Sequence, residues 1–229
     1  MAEGDTLTEA VLFDFNGVLV DDEPQHCEAL QRVLGDERIT LTREHYYAQY
    51  LGLDDRTGFV LAFRNAQRTL TMELLKHLVT KKSLLYLELI KKSLRMVRGA
   101  PEFVRDAARQ FRLGIVSGAL RREIDHVLGQ TDLGGSFEVI IAADDVPRCK
   151  PDPASYLAAH GAFNRRRPIA AGSCVVIEDS LPGLQAARAA GMSCIMLTTN
   201  HPARTFEGRG AALVWDSLAG HSASDLADL

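Results

Sequence analysis

Asp14 follows the apolar run Ala10-Val11-Leu12-Phe13 and precedes Phe15-Asn16-Gly17-Val18. This is the pattern of a strand that delivers a carboxylate onto a glycine turn, where its oxygen is open to act as a nucleophile. Three further groups follow in order. Ser117-Gly118 ends the apolar run Leu113-Gly114-Ile115-Val116, Lys150 stands in Cys149-Lys150-Pro151-Asp152-Pro153, and Glu178-Asp179 ends Val175-Val176-Ile177. Moving a phosphoryl group needs a nucleophile, a cation, donors for the phosphate oxygens and a proton source for the leaving oxygen. Asp14 suits the first role. Glu178-Asp179 suits Mg²⁺, which takes a few carboxylates together with waters and phosphate oxygen. Ser117, with the backbone N–H groups beyond it, can cradle phosphate at a helix start. Lys150, fixed by its prolines, can neutralise phosphate and clustered carboxylates. Gly17 lets the backbone turn close to a phosphate.

Each group has a plainer reading. Asp14 could be a strand-end cap, Ser117 a turn residue and Lys150 a solvated surface cation. Asp179-Ser180 could cap a helix carrying Pro182 in its first turn, a role compatible with metal binding. Specificity comes from the set taken together.

The elements that must position these residues alternate. A first strand covers about 10–15. From Glu23 to about Arg98 the spacing is helical, as at Leu70, Leu74, Leu75 and Leu78. Gly99-Ala100-Pro101 breaks the pattern. Helices over 102–110, 121–128, 153–160 and 183–190 then alternate with strands over 113–116, 137–142, 174–177 and 194–197. A strand at 212–214 and a short terminal helix close the chain. The alternation predicts an α/β fold: a Rossmann-like parallel sheet core with an inserted all-helical cap domain. The core is expected over 1–18 and 99–229, and the cap over 19–98. Ligands of such sheets bind beyond the strands' carboxyl ends, where all four groups fall. The cap is expected as a lid there.

The chain has 229 residues, enough for one large domain or a core with an insertion. Hydrophobic residues make up 46% and charged residues 24%, the balance of a soluble globular protein. A net charge of −4 disfavours nucleic acid as a partner, and Arg165-Arg166-Arg167 reads as a solvated loop. Cys27, Cys149, Cys174 and Cys194 form no CxxC pair, which argues against structural zinc and for reduced thiols in a cytoplasmic protein. No apolar run approaches the roughly 20 residues that span a membrane. Met1–Glu9 is acidic and polar, unlike a secretory signal. A monomer or weak dimer with a small phosphorylated substrate is the expected partner state.

The segments Asp14-Phe15-Asn16-Gly17-Val18, Val116-Ser117-Gly118, Lys150-Pro151-Asp152-Pro153 and Glu178-Asp179-Ser180, with Gly183 and Ala189-Ala190-Gly191-Met192, resemble the four motifs of the haloacid dehalogenase superfamily. The likeness is to its β-phosphoglucomutase and phosphoglycolate-phosphatase-like branch and covers nearly the whole chain. Asp21-Asp22-Glu23-Pro24-Gln25-His26 is similar to that branch's stretch after the first motif. The resemblance implies a Rossmann-like core, a mobile cap, Mg²⁺ and an aspartyl-phosphate intermediate. It assigns Asp14 as nucleophile and Mg²⁺ ligand, and the backbone carbonyl of Asn16 as a further ligand. Ser117, Gly118 and Lys150 become phosphate binders, and Asp179 a metal carboxylate supported by Glu178. Arg56, in Gly52-Leu53-Asp54-Asp55-Arg56, falls where the branch has a substrate-probing loop, and otherwise reads as a helix-surface arginine.

Position 16 departs from the family, whose phosphatases carry a proton-transferring Asp there. Asn can hydrogen-bond but cannot transfer a proton, and general acid–base help is worth about 10²–10⁴-fold. Asp22 is the first candidate substitute, where the family commonly has a small hydroxyl residue; Asp21 and His26 are weaker. Asp22 could instead cap the first cap helix, with Asp22-Glu23 at its positive end. The expected function is therefore a Mg²⁺-dependent phosphatase or phosphotransferase on a small phosphorylated metabolite, a sugar phosphate among them, slowed by Asn16. The alternatives are a binding or regulatory protein that kept the phosphate pocket, or a phosphonate-cleaving hydrolase using Lys76, Lys81 or Lys82 as a Schiff base. Dehalogenation needs no Mg²⁺ and leaves Glu178-Asp179 unexplained.

Overall fold

The computed structural model describes residues 7–227 and 229. Of the acidic N-terminal stretch read above, residues 1–6 lie outside the described residues. The strands are β1 (Ala10–Phe13), β2 (Arg112–Val116), β3 (Val139–Ile141), β4 (Cys174–Glu178), β5 (Ser193–Leu197) and β6 (Leu213–Trp215). The helices are α1 (Glu23–Asp36), α2 (Arg43–Gln49), α3 (Asp55–Asn65), α4 (Met72–Ser93), α5 (Ala100–Ala107), α6 (Arg121–Leu128), α7 (Ala154–Asn164) and α8 (Leu181–Ala189). The expected terminal helix is a single 3₁₀ turn at Ala223–Leu226.

All six strands run parallel in the order β3-β2-β1-β4-β5-β6. The chain winds outward from β1 to β3, then returns to the far side of β1 and winds the other way. The sheet therefore switches direction between β1 and β4, the place where doubly wound sheets leave a crevice for a ligand. Alternation of side chains gives each face of β1 its own core. Ala10 and Leu12 join Val116, Tyr156, Phe163, Val176 and Leu184 on one face. On the other, Phe13 meets Phe103 of α5 and Phe137 edge-on, at centroid distances of 6.2 and 6.1 Å. Both faces are dry, which is why β1 and β4 read as unbroken apolar runs.

The chain divides into two compact units, one through Asp21 together with Met96–Leu229, the other Asp22–Arg95. The second holds α1–α4, inserted between β1 and β2. Its longest helix, α4, buries Leu75, Leu78, Val79, Tyr86 and Ile90, spaced to lie along one stripe. Threonine caps start α2 and α4: Thr42 accepts from the His45 N–H and Thr71 from the Leu74 N–H. Asp54 caps α3 by accepting from the N–H groups of Arg56 and Thr57.

Candidate active site

Register brings the core residues together. Phe13 of β1 lies opposite Ile115 of β2 and Ile177 of β4. One step further along the parallel strands, Asp14 therefore stands level with Val116 and Glu178. Ser117 and Asp179 come one residue later. β1 ends at Phe13, earlier than expected, because the chain turns at once. The Gly17 N–H donates to the Val20 carbonyl at 2.7 Å, and Leu19 and Val20 both donate to the Phe15 carbonyl. Phe15, Val18, Leu19 and Val20 are buried, so apolar packing holds the turn that carries Asn16.

Glu178 anchors the cluster. It is fully buried and accepts five hydrogen bonds. Lys150 Nζ (2.5 Å) and the Tyr156 hydroxyl (2.9 Å) donate to Oε1. The N–H groups of Asp179 and Ser180 and the Ser180 hydroxyl donate to Oε2. The Ser180 hydroxyl oxygen also accepts from the Gly183 N–H and so caps α8, whose second residue is Pro182. The capping reading of this segment thus holds together with its place in the acidic cluster. A carboxylate so fully occupied is suited to fixing its neighbours rather than to binding a metal directly.

Lys150 Nζ lies 2.9 Å from Asp14 Oδ1 and donates to the Val116 carbonyl at 2.8 Å. It is thus buried between two carboxylates, not a solvated surface cation. Burial opposes its charge, but Asp14 and Glu178 outweigh that and hold its pKa above the ordinary lysine range. For Asp14, burial wins over the attraction of Lys150, and with Glu178 nearby its pKa is raised from 3.8 to about 6. Burial likewise lifts the Tyr156 phenol well above its usual value, with Glu178 adding to the effect, so the phenol stays a donor.

One carboxylate oxygen from each of Asp14, Glu178 and Asp179 falls within 4.8 Å of the others, and all three residues are buried. Three acids against one ammonium leave an excess of negative charge that a divalent cation would offset. Oxygen donors of this kind suit a hard cation. Ser117 is also buried; its hydroxyl lies 3.5 Å from Asn16 Oδ1 and accepts from the Ala119 N–H. Its own N–H donates to the Ile141 carbonyl, so the hydroxyl is the polar group it turns toward Asn16. Gly118 follows it in the β2–α6 loop. Arg56 belongs to the helical unit, exposed in the first turn of α3.

Two residues that sequence reading passed over join the core cluster. Asn200, past the end of β5, donates to Asp179 Oδ2 at 2.8 Å. Tyr156 reaches Glu178 from the first turn of α7. For Asn200 the usable signal was its position just past the carboxyl end of β5; Tyr156, inside α7, carried none. Gly17 completes the packing, with a φ of +74° and no room for a side chain. A Cβ there would sit 2.1 Å from Asp179 Oδ2 and 2.7 Å from Asn200 Nδ2.

The fold and this acidic cluster match a known class. Residues 8–191 match the haloacid dehalogenase-like hydrolase family, and the chain belongs to it, in the branch with a helical cap. It is 32% identical over 188 residues to a phosphorylated carbohydrates phosphatase of Thermotoga maritima, covering 82% of this chain and 83% of that protein. It is 26% identical over 189 residues to hexitol phosphatase B of Escherichia coli, covering 82% of each. In fold it is similar to CbbY of Rhodobacter sphaeroides, solved with phosphate: TM-score 0.83, 23% identity, covering 96% of this chain and 99% of that one.

Proposed function

We propose that this chain is a Mg²⁺-dependent phosphatase or phosphotransferase acting on a small phosphorylated carbohydrate through an aspartyl-phosphate on Asp14. The observation that carries this is the gathering of Asp14, Lys150, Glu178 and Asp179 into one buried cluster at the switch point of the sheet. The carbohydrate class rests on the relatives, whose names specify phosphorylated carbohydrates and hexitols.

Asp14, as the carboxylate, attacks phosphorus. Lys150 orients it and, with the Ser117 hydroxyl and the backbone around Gly118, holds phosphate oxygens. Glu178 keeps Lys150 in place. Asp14, Asp179 and the carbonyl of Asn16, with Glu178 behind them, would hold Mg²⁺, whose charge offsets the phosphoryl oxygens and favours ionised Asp14. Asn16 hydrogen-bonds but moves no proton. Without another donor, turnover on poor leaving groups would fall about 10²–10⁴-fold below that with an acid. The four cysteines are free thiols, in keeping with a cytoplasmic setting.

The phosphonate reading loses ground. Lys82 is the buried one of its three candidate lysines, yet its Nζ pairs with Asp55 Oδ1 at 2.7 Å. That ion pair engages the Nζ that a Schiff base would need.

The test is phosphate release across a sugar-phosphate and polyol-phosphate panel, with and without Mg²⁺. Release that needs Mg²⁺ and disappears in Asp14→Asn is expected. If neither the parent nor Asn16→Asp releases phosphate from any substrate, the enzyme reading fails and the binding-protein alternative takes its place.

A further inference from the structure

Tyr156 is fully buried in the core cluster with Leu12, Val116, Phe163 and Val176, where a phenylalanine would fill the same space. Its hydroxyl needs a separate reason, because a buried hydroxyl costs stability unless it is hydrogen-bonded. The partner it takes is Glu178 Oε1, at 2.9 Å, the same oxygen that accepts from Lys150 Nζ at 2.5 Å. The Tyr156 ring also lies under that ammonium, 5.2 Å from Nζ to the centroid. Local structure brings the two residues together. Asp152 closes the turn between them: its N–H donates to the Cys149 carbonyl at 3.1 Å, and its Oδ1 accepts from the Ala154 N–H at 3.0 Å. Lys150 and the first turn of α7 thus arrive at Glu178 side by side.

An ammonium has three protons to donate. Lys150 gives one to the Val116 carbonyl, at 2.8 Å, and one to Glu178 Oε1. Asp14 Oδ1 lies 2.9 Å from Nζ, yet no donor reaches this buried oxygen in hydrogen-bond geometry. The third proton is therefore not locked onto Asp14, and the two anchored protons decide where it points. The Val116 carbonyl is fixed by β2. Glu178 Oε1 belongs to a side chain, and it is clamped from two sides. Three donors at the start of α8 hold Oε2, and the Tyr156 hydroxyl holds Oε1 itself. Relieved of the phenol, Oε1 would turn its charge on the ammonium alone and draw it away from Asp14.

We propose that Tyr156 is a positioning residue of the transfer reaction: by sharing Glu178 Oε1 with Lys150, its hydroxyl holds the ammonium where the third proton meets the phosphoryl group passing to Asp14. The proposal rests on the phosphatase reading above. Tyr156 acts through Glu178 and Lys150 and exchanges no proton. A donor aimed in advance at developing charge stabilises the transition state more than the bound substrate. Misplacing it therefore falls on kcat rather than on KM, since the Ser117 hydroxyl and the backbone around Gly118 still hold ground-state phosphate.

The experiment compares the full-length parent with Tyr156→Phe, which keeps the ring and removes one oxygen, on p-nitrophenyl phosphate and hexose 6-phosphate with Mg²⁺. If only Asn16→Asp turns over, the same comparison is made in that background. The Tm and the ¹⁵N resonance of the Lys150 ammonium in the metal-free protein are read alongside. Tyr156→Phe is expected to lose about 10-fold in kcat, as removal of a group that orients an active-site side chain typically does. KM, the Mg²⁺ requirement and Tm should stay close to those of the parent, and the Lys150 resonance should move. A kcat within about twofold of the parent overturns the proposal. So does a change confined to KM, or a loss in kcat with the Lys150 resonance unmoved. A joint loss in kcat, KM and Tm marks a structural role and overturns it too. Each of these results leaves the phosphatase reading standing. Inactivity of both the parent and Asn16→Asp sinks that reading, and this proposal with it.

Discussion

Asp179 and Glu178 are adjacent in sequence yet face different demands. Glu178 is saturated by donors from three elements, so its charge is spread over hydrogen bonds and held still. Asp179 accepts from the Asn200 amide and lies against the bare backbone of Gly17, contacts that aim its carboxylate. An outer-sphere partner of this kind typically controls metal affinity about 10–100-fold when removed. Asn200→Ala should accordingly weaken Mg²⁺ binding by about 10-fold in isothermal titration while leaving the far-UV spectrum unchanged. Unchanged affinity would mean that Asp179 is oriented by other contacts.

At the level of elements, the turn from β4 into α8 ties the site to the fold. The Ser180 hydroxyl both caps α8 and donates to Glu178, so the helix start and the acid cluster share one hydrogen-bond set. Gly183, in the first turn of α8, presses against that carboxyl group: a Cβ would meet the Glu178 carboxyl atoms at 1.9–2.1 Å. These atoms are locked by five donors and have nowhere to go. Gly183→Ala should therefore destabilise the protein by about 1–3 kcal/mol, the usual cost of overpacking, despite alanine's better helix propensity. Urea unfolding measures it, and a stabilised variant would show that the turn gives way easily. Helix α4 is the opposite case. Its apolar stripe and its Thr71 cap are visible in the chain itself, because a helix face and a local cap depend only on near neighbours.

For the whole molecule, the buried site has a cost in stability that pH reveals. Folding raises the pKa of Asp14 from 3.8 to about 6, mainly through burial. Its contribution to stability is thus fully present below 3.8 and is lost as pH rises through about 6, where the buried carboxylate becomes charged. Asp14→Asn removes that titration. Without metal, its stability relative to the parent should grow between pH 4 and pH 7.5 by about 1–3 kcal/mol. Mg²⁺ should shrink this lead by favouring the ionised carboxylate in the parent. Chemical denaturation at both pH values, with and without Mg²⁺, measures it; a lead that stays constant with pH would show that Lys150 fully compensates the charge. Among the described residues no helix is long and apolar enough to cross a membrane.

Strand and helix alternation, the long helical insertion and the order of Asp14, Ser117, Lys150 and Glu178-Asp179 could all be read in the chain alone. Each depends on periodicity or on residues next to one another, and parallel strands with short turns leave such residues at a common edge. Other features came only with the tertiary structure: β1's place between β2 and β4, Asn200 on Asp179, Tyr156 on Glu178, and the Tyr86 hydroxyl on buried Asp22. They join groups far apart in sequence, and no local pattern marks a side chain whose partner lies across a sheet or on another helix. For Asp22 the near neighbours pointed to a helix cap, whereas packing against Tyr86 and His26 turned the carboxyl group elsewhere.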